Sequence, residues 1–301
     1  MTAKYQPIDL TRVEIDQRTI LNVTFTELWA LYIRHKPAKR EDLREYRLRK
    51  WHAQIGAMPA WEVSVAHINA IIRQMDSLGY SPSSTNRDLA DIRAVFNWAM
   101  RHGHCPPEFI HPTVGIEMKS VQPRRVELSH DEQLALLTAS KLSHWEKMHC
   151  FVLCALVTGA RKSELLNLTW PDIDWKTNRA ILHDTKAGKP RRLLLNADCI
   201  AALKAIKPKS RLDDDELVFC GRNPFRAFDI RKAWVKVRDD AQLPALRIHD
   251  MRHAATARML KAGGNLSAVA QVLGHSDHRM ISKVYGHLDD QHLQQIVCES
   301  W

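Results

Sequence analysis

The sequence predicts a mainly α protein with one small antiparallel β-sheet, an α+β chain built from two domains. Apolar residues recur at helical spacing through most of its 301 positions. Only residues 179–195, RAILHDTKAGKPRRLLL, read as two short apolar strands around a turn holding Ala187, Gly188 and Lys189. Between 105 and 126, CPPEFIHPTVGIEMKSVQPRRV carries four prolines, a glycine and no sustained period, so it separates two helical regions as a linker would. A chain of this length suits two domains that each bury a core.

The N-terminal segment, 1–23, opens with MTAKYQPIDLTRVEID, which alternates charged and apolar residues and lacks the continuous apolar stretch of a secretory signal. No other run is long enough to cross a bilayer, so a cytoplasmic protein with no membrane partner is expected. Residues 24–104 are expected to form a helical domain. It opens with Thr24 and Glu27 at capping-box spacing ahead of Leu28, Leu31 and Ile33. Further helices are marked by Leu43, Tyr46, Trp51 and Ile55, by Ile68, Ile71, Ile72 and Met75 before Gly79, and by Leu89, Ile92, Phe96 and Trp98 before Gly103. The polar faces carry many bases, among them Arg44, Arg47, Lys50, Arg87 and Arg93, which serve equally well as a solvated face or as contacts to DNA. After the linker, 105–126, a second domain is expected over 127–301. Ser129 and Glu132 supply another capping box, and the apolar run Met148–Val157 reads as a buried helix.

The net charge is +10, about +3 up to residue 120 (16 basic, 13 acidic) and about +7 beyond it (28 basic, 21 acidic). Both parts are cationic, which favours a polyanionic partner because neutralised phosphates release condensed counterions. Of six cysteines only Cys150 and Cys154 are close, four apart in an apolar helical pattern that suits core packing. A zinc site would have to combine them with His102, His104 and Cys105, and there is no C-x-x-C knuckle, so neither metal nor disulfide is expected. The phosphate-loop pattern of ATP-binding proteins is also missing.

Four segments of the second domain hold residues of matching chemical purpose. In Thr158-Gly159-Ala160-Arg161, the glycine ends the buried helix and Arg161 emerges at the start of the next, where free amides and the helix dipole favour an anion. Lys186 stands at the hairpin tip. In His249-Asp250-Met251-Arg252-His253, three-residue spacing puts His249 and Arg252 on one helical face, where two donors match two phosphate oxygens. Leu273-Gly274-His275 is followed ten residues later by Tyr285, the only tyrosine after Tyr80. Taken alone, each of these reads as an ordinary surface, turn or core residue.

Together they closely resemble the tyrosine recombinase, or phage integrase, family. That family places an arginine after T-G-x, a lysine in a β-hairpin, an H-x-x-R pair, a histidine or tryptophan in L-G-H, and a tyrosine about ten residues on. Arg161, Lys186, His249, Arg252, His275 and Tyr285 match in identity and order over 125–301, while 24–104 resembles the core-binding domain more loosely. Met251 stands where leucine is commoner, and the segment before Tyr285 reads MISKV where threonine is frequent; neither departure touches a charge-bearing role. The resemblance implies a C-shaped two-domain clamp on double-stranded DNA, with Tyr285 as nucleophile and a 3′-phosphotyrosine intermediate, without metal, ATP or other cofactor. It implies Lys186 as the acid that protonates the departing 5′-hydroxyl, and His249 as proton acceptor or phosphate ligand. Partners implied are four protomers on two duplexes and an accessory directionality factor. The residues 289–301 would dock on a neighbour or pack in cis. About 23 residues precede the first helix, too few for a separate arm-binding domain, which points to binding at core sites alone. Rival readings are a type IB topoisomerase with the same chemistry and a DNA-binding regulator that has lost catalysis; the small helical N-terminal domain weighs against the first and the intact hexad against the second. A general RNA-binding helical protein is disfavoured because no sheet platform of stacking aromatics is evident.

Overall fold

The structure, a computed structural model, describes residues 22–36, 47, 50–122, 124, 126–183, 190–209, 213, 215–263 and 265–274. The chain divides into two compact units, Met1–Gln122 and Pro123–Trp301.

In the first unit, helix α1 (Phe25–His35) starts at a closed capping box. Thr24 N–H donates to Glu27 Oε2 at 2.7 Å, and Glu27 N–H donates to Thr24 Oγ1 at 3.3 Å, so two orphan amides of the first turn are satisfied. Helical backbone also covers 50–55, and α2 (Val65–Ser77) and α3 (Pro82–Arg101) follow, the last begun by Ser81 with a proline in its first turn. Their apolar faces meet in a core of Phe25, Trp29, Trp51, Ile68, Ile71 and Phe96, with Phe25 and Phe96 stacked at 5.8 Å between ring centroids. Leu43 and Tyr46 lie outside the described residues.

Most of the segment expected to be a linker belongs to this unit. Residues 105–119 form neither helix nor strand, because Pro106, Pro107 and Pro112 remove the amide donors such structure needs. They are nonetheless tied down. Phe109 stacks on Phe96 at 5.6 Å and meets Trp61 edge-on at 5.1 Å. The Asn86 side-chain amide donates to Lys119 O and accepts from Lys119 N–H, both at 2.8 Å.

The second unit is built on α4 (His130–Lys141), opened by the Ser129–Glu132 capping box, and α5 (Met148–Thr158). Helix α5 is buried around most of its circumference, as its unbroken apolar sequence requires. It packs against α4, α7 (Ala197–Ile206) and α9 (Asp250–Lys261), with the short α6 (Lys162–Leu166) leaving its C-terminal end. The hairpin strands are β2 (Arg179–Leu182) and β3 (Arg191–Leu194), paired Ala180 to Leu193. A third strand, β1 (Ile173–Asp174), completes an antiparallel sheet in the order β1-β2-β3; at two residues it is too short to show an alternating pattern in sequence. Helices α8 (Arg231–Asp240) and α10 (Leu266–Leu273) complete the described part. Cys150, Cys154, Cys199 and Cys220 are buried free thiols of this unit. Among the described residues, no helix is long and apolar enough to cross a membrane.

Candidate active site

Gly159 ends α5 in the left-handed conformation, φ 64°, and a Cβ there would lie 2.5 Å from Leu273 Cδ2, so both backbone angle and space demand glycine. The chain then turns outward, and Arg161 becomes the N-cap of α6 with extended backbone. Its backbone N–H donates to Glu164 Oε2 at 2.8 Å and its Nη1 donates to Glu164 Oε1 at 2.6 Å. Glu164 is buried and takes a further bond, 2.7 Å from Arg191 Nη2. Burial pushes the Glu164 carboxyl up, but the bonds from Arg191 and Arg161 outweigh it and hold the group below the usual range, so it is ionised at neutral pH.

His249 caps α9, and Arg252 follows within the first turn, buried. Arg252 Nη1 donates to Gly159 O at 2.7 Å and Nη2 to Leu273 O at 2.8 Å, joining the Arg161 turn to the end of α10. Burial, Arg161 and Arg191 pull Arg252 down to about 9, with Glu164 opposing; it keeps its charge at neutral pH. The His249 ring is pushed down by burial, by His253 at 5.4 Å between ring centroids, and by Arg252 and Arg161, against the opposing pull of Asp250. A histidine lowered in this way is neutral at pH 7 and free to accept a proton.

Arg161 and His249 line a cleft of about 510 Å³ together with Lys162, Arg231, Arg238 and Arg247 and the apolar Trp234, Val235 and Ile248. Such a surface offers positive charge to a polyanion. Three of the six expected catalytic residues thus converge. Lys186, His275 and Tyr285 lie outside the described residues; Lys186 falls between β2 and β3, and His275 directly follows the last described residue, Gly274.

Sequence reasoning missed Glu164 and Arg191. Glu164 could have been found from its capping-box spacing to Arg161, whereas nothing local marks Arg191. Of the basic residues expected on the helical domain, Arg47 pairs with Asp91 at 2.6 Å, Lys50 pairs with the buried Asp88, and Arg93 donates to Thr113 Oγ1 at 3.1 Å and to Ile116 O. Arg87 is exposed, and Arg44 lies outside the described residues.

The sequence pattern of the phage integrase family matches residues 127–292, more than half of the chain. Tyrosine recombinase XerC of Xanthomonas campestris pv. campestris (strain B100) is 28% identical over 268 residues, covering 86% of this chain and 80% of the relative. XerC of Pseudomonas aeruginosa is 28% identical over 239 residues, covering 76% of each. Among solved structures, the Tn1549 transposon integrase in complex with a circular intermediate DNA aligns with a TM-score of 0.73 at 20% identity, over 87% of this chain and 94% of that one. A lambda integrase tetramer bound to a Holliday junction aligns with a TM-score of 0.67 at 16% identity, over 88% and 79%. At such identities the structures speak for the fold, which matches the mainly helical chain with a small antiparallel sheet. The family match over 127–292 takes in every segment of the convergent site, and on that ground the chain belongs to the phage integrase family, the tyrosine recombinases that cleave and rejoin DNA strands.

Proposed function

We propose that this recombinase acts at specific sites through a covalent 3′-phosphotyrosine formed by Tyr285. One observation supports the reading most directly: the guanidinium groups of Arg161, Arg191 and Arg252 gather around a single ionised carboxylate, Glu164, so the site keeps surplus positive charge. A phosphodiester in transit between two oxygens is the anion that such a surplus suits.

The chemistry follows from the groups. A tyrosine ionises near pH 10, so its hydroxyl attacks at neutral pH only when a base takes its proton or positive charge steadies the phenolate. His249, neutral and beside Arg161 and Arg252, has the protonation state of such an acceptor. Tyr285 Oη attacks phosphorus, the P–O5′ bond breaks, and Lys186 passes a proton to the 5′-oxygen as it leaves. Arg161 and Arg252 hold the charge on the equatorial oxygens. Because the phosphotyrosine ester retains the energy of the broken bond, a 5′-hydroxyl from a second duplex reseals the strand without ATP.

In this reading 127–301 is the catalytic domain and 24–104 the DNA-gripping domain. Four protomers would join two duplexes, as in the lambda integrase tetramer bound to a Holliday junction. Tyr285→Phe is expected to abolish covalent protein–DNA adducts on a nicked suicide duplex while duplex binding in a gel shift is unchanged. Equal adduct yield from the variant would overturn the assignment.

A further inference from the structure

We infer that Arg191 is a positioning residue for strand cleavage, binding the β-hairpin, the Arg161 turn and the end of α10 into one rigid frame through Glu164. The inference rests on the function proposed above and deepens it.

Arg191 is the first residue of β3, five residues after Lys186, and its side chain is only 10% exposed. Nη2 donates to Glu164 Oε2 at 2.7 Å, and Nη1 donates to Val272 O at 2.8 Å near the end of α10. Glu164 in turn holds Arg161 by its backbone N–H and its Nη1. A continuous path of bonds therefore runs from residue 272, three before His275, through Arg191 and Glu164 to Arg161. The three segments come from distant parts of the sequence, 164, 191 and 272.

Two further observations show how closely the side chain is fitted. A Cβ on Gly274 would lie 2.3 Å from Arg191 Cδ and 2.8 Å from Nε, so the arginine lies against the backbone of the turn that leads to His275. Its Nε is buried with no hydrogen-bond partner. A buried donor left unpaired is unfavourable in itself, and here it accompanies two good bonds made by the other nitrogens. A planar fork reaches Glu164 and Val272 together; a lysine, with a single ammonium, would meet one or the other.

The consequence for catalysis is geometric. Arg161 is an N-cap residue at the edge of a cleft, and its long side chain is fixed by one carboxylate. Glu164 sits on a helix of only five residues, and Arg191 is the group that ties that carboxylate to the sheet. Both terminal nitrogens of Arg191 are directed to Glu164 and Val272, and its link to the reacting centre runs through Glu164 to Arg161.

The test uses the full chain and single-turnover adduct formation on a nicked duplex built from the DNA that the unmodified chain traps covalently. One substrate has an ordinary scissile phosphodiester; the other has a methylphosphonate there, which lacks the negative charge that Arg161 neutralises. Displacing a reacting group by an ångström lowers rates by about a hundredfold, and that is the loss expected for Arg191→Ala on the phosphodiester, with duplex affinity unchanged. On the methylphosphonate the loss should shrink to under about tenfold, since the misplaced charge no longer matters as much. Arg191→Lys, which keeps a donor for Glu164, should recover part of the phosphodiester rate. Equal losses on the two substrates, or no loss on either, would overturn the inference. If circular dichroism shows Arg191→Ala unfolded, the ratio of losses for Arg191→Lys decides by the same criterion. An unmodified chain that forms no adduct at all brings down the phosphotyrosine reading itself, an outcome distinct from a normal unmodified chain beside an unaffected variant.

Discussion

Each unit buries a carboxylate beside cations, and the two carboxylates shift in opposite directions. Asp88 in the first unit is 2% exposed; burial pushes its carboxyl up, Asp91 adds to the push, and Lys50 and Arg47 reverse only part of it. Glu164 in the second unit is 3% exposed, yet Arg191 and Arg161 overcome burial and hold it down. The first unit balances its charges, Lys50 against Asp88 and Arg47 against Asp91, as a scaffold does. The second gathers three arginines round one acid. The lesson is that a count of basic residues says little about where a polyanion binds; what matters is which bases are already matched.

The largest effect that bears on this contrast is expected at Arg252. Its removal takes away surplus charge and leaves Gly159 O and Leu273 O without their donor. Losing one preorganised donor at a developing oxyanion lowers rates by about 10²- to 10³-fold. Each buried carbonyl left unpaired costs about 1–3 kcal/mol of stability. Arg252→Ala should therefore show both a slower adduct-forming step in saturating DNA and a lower urea midpoint. A variant with normal cleavage would mean that Arg252 serves only as a strut.

The opposite shifts give the second effect, and the signs differ. Glu164, held below its unfolded value of about 4.3, contributes stability that is complete above that pH and is lost as pH falls through its folded value. Asp88, raised above an unfolded value of about 3.9, contributes stability that is complete below that pH and is lost as pH rises through its folded value. Urea unfolding from pH 3 to pH 6 tests this. The stability of the unmodified chain minus that of Glu164→Gln should grow with pH, whereas the difference from Asp88→Asn should shrink. Slopes of the same sign would show that the two carboxylates do not differ in the way described.

What the sequence disclosed, and what it hid, follows the distance over which each feature is built. The capping boxes at Thr24 and Ser129, the buried run of α5 and the placing of Arg161 just past Gly159 are local, and local patterns are written in neighbouring residues. The convergence of Arg161, His249 and Arg252 was legible only as family pattern, because no spacing brings residues 161 and 252 together. The pairing of Arg47 with Asp91 spans 44 residues and that of Arg191 with Glu164 spans 27, so neither left a periodic trace. For the same reason residues 105–119 looked like free linker. Their prolines are visible in sequence, but the docking of Phe109 on Phe96 and of Lys119 on Asn86 depends on a helix that passes them from elsewhere.

The smallest effect separates matched from unmatched bases within the helical domain. Arg47 is held by Asp91, while Arg87, on an exposed part of α3, has no hydrogen bond or ion pair with any described residue. If DNA runs along this face, Arg87 is free to neutralise a phosphate in a way that Arg47, held by Asp91, is not. Each phosphate neutralised contributes about 0.9 to the steepness with which log affinity falls against log salt. Arg87→Ala should thus reduce that slope by about one in a fluorescence titration across potassium chloride concentrations, with thermal stability unchanged. Arg47→Ala should leave the slope alone and instead lower stability by up to about 1 kcal/mol, the range for a partly exposed ion pair. The reverse result would mean that DNA displaces Asp91 from Arg47, and that a base matched within the free protein still serves as a phosphate contact.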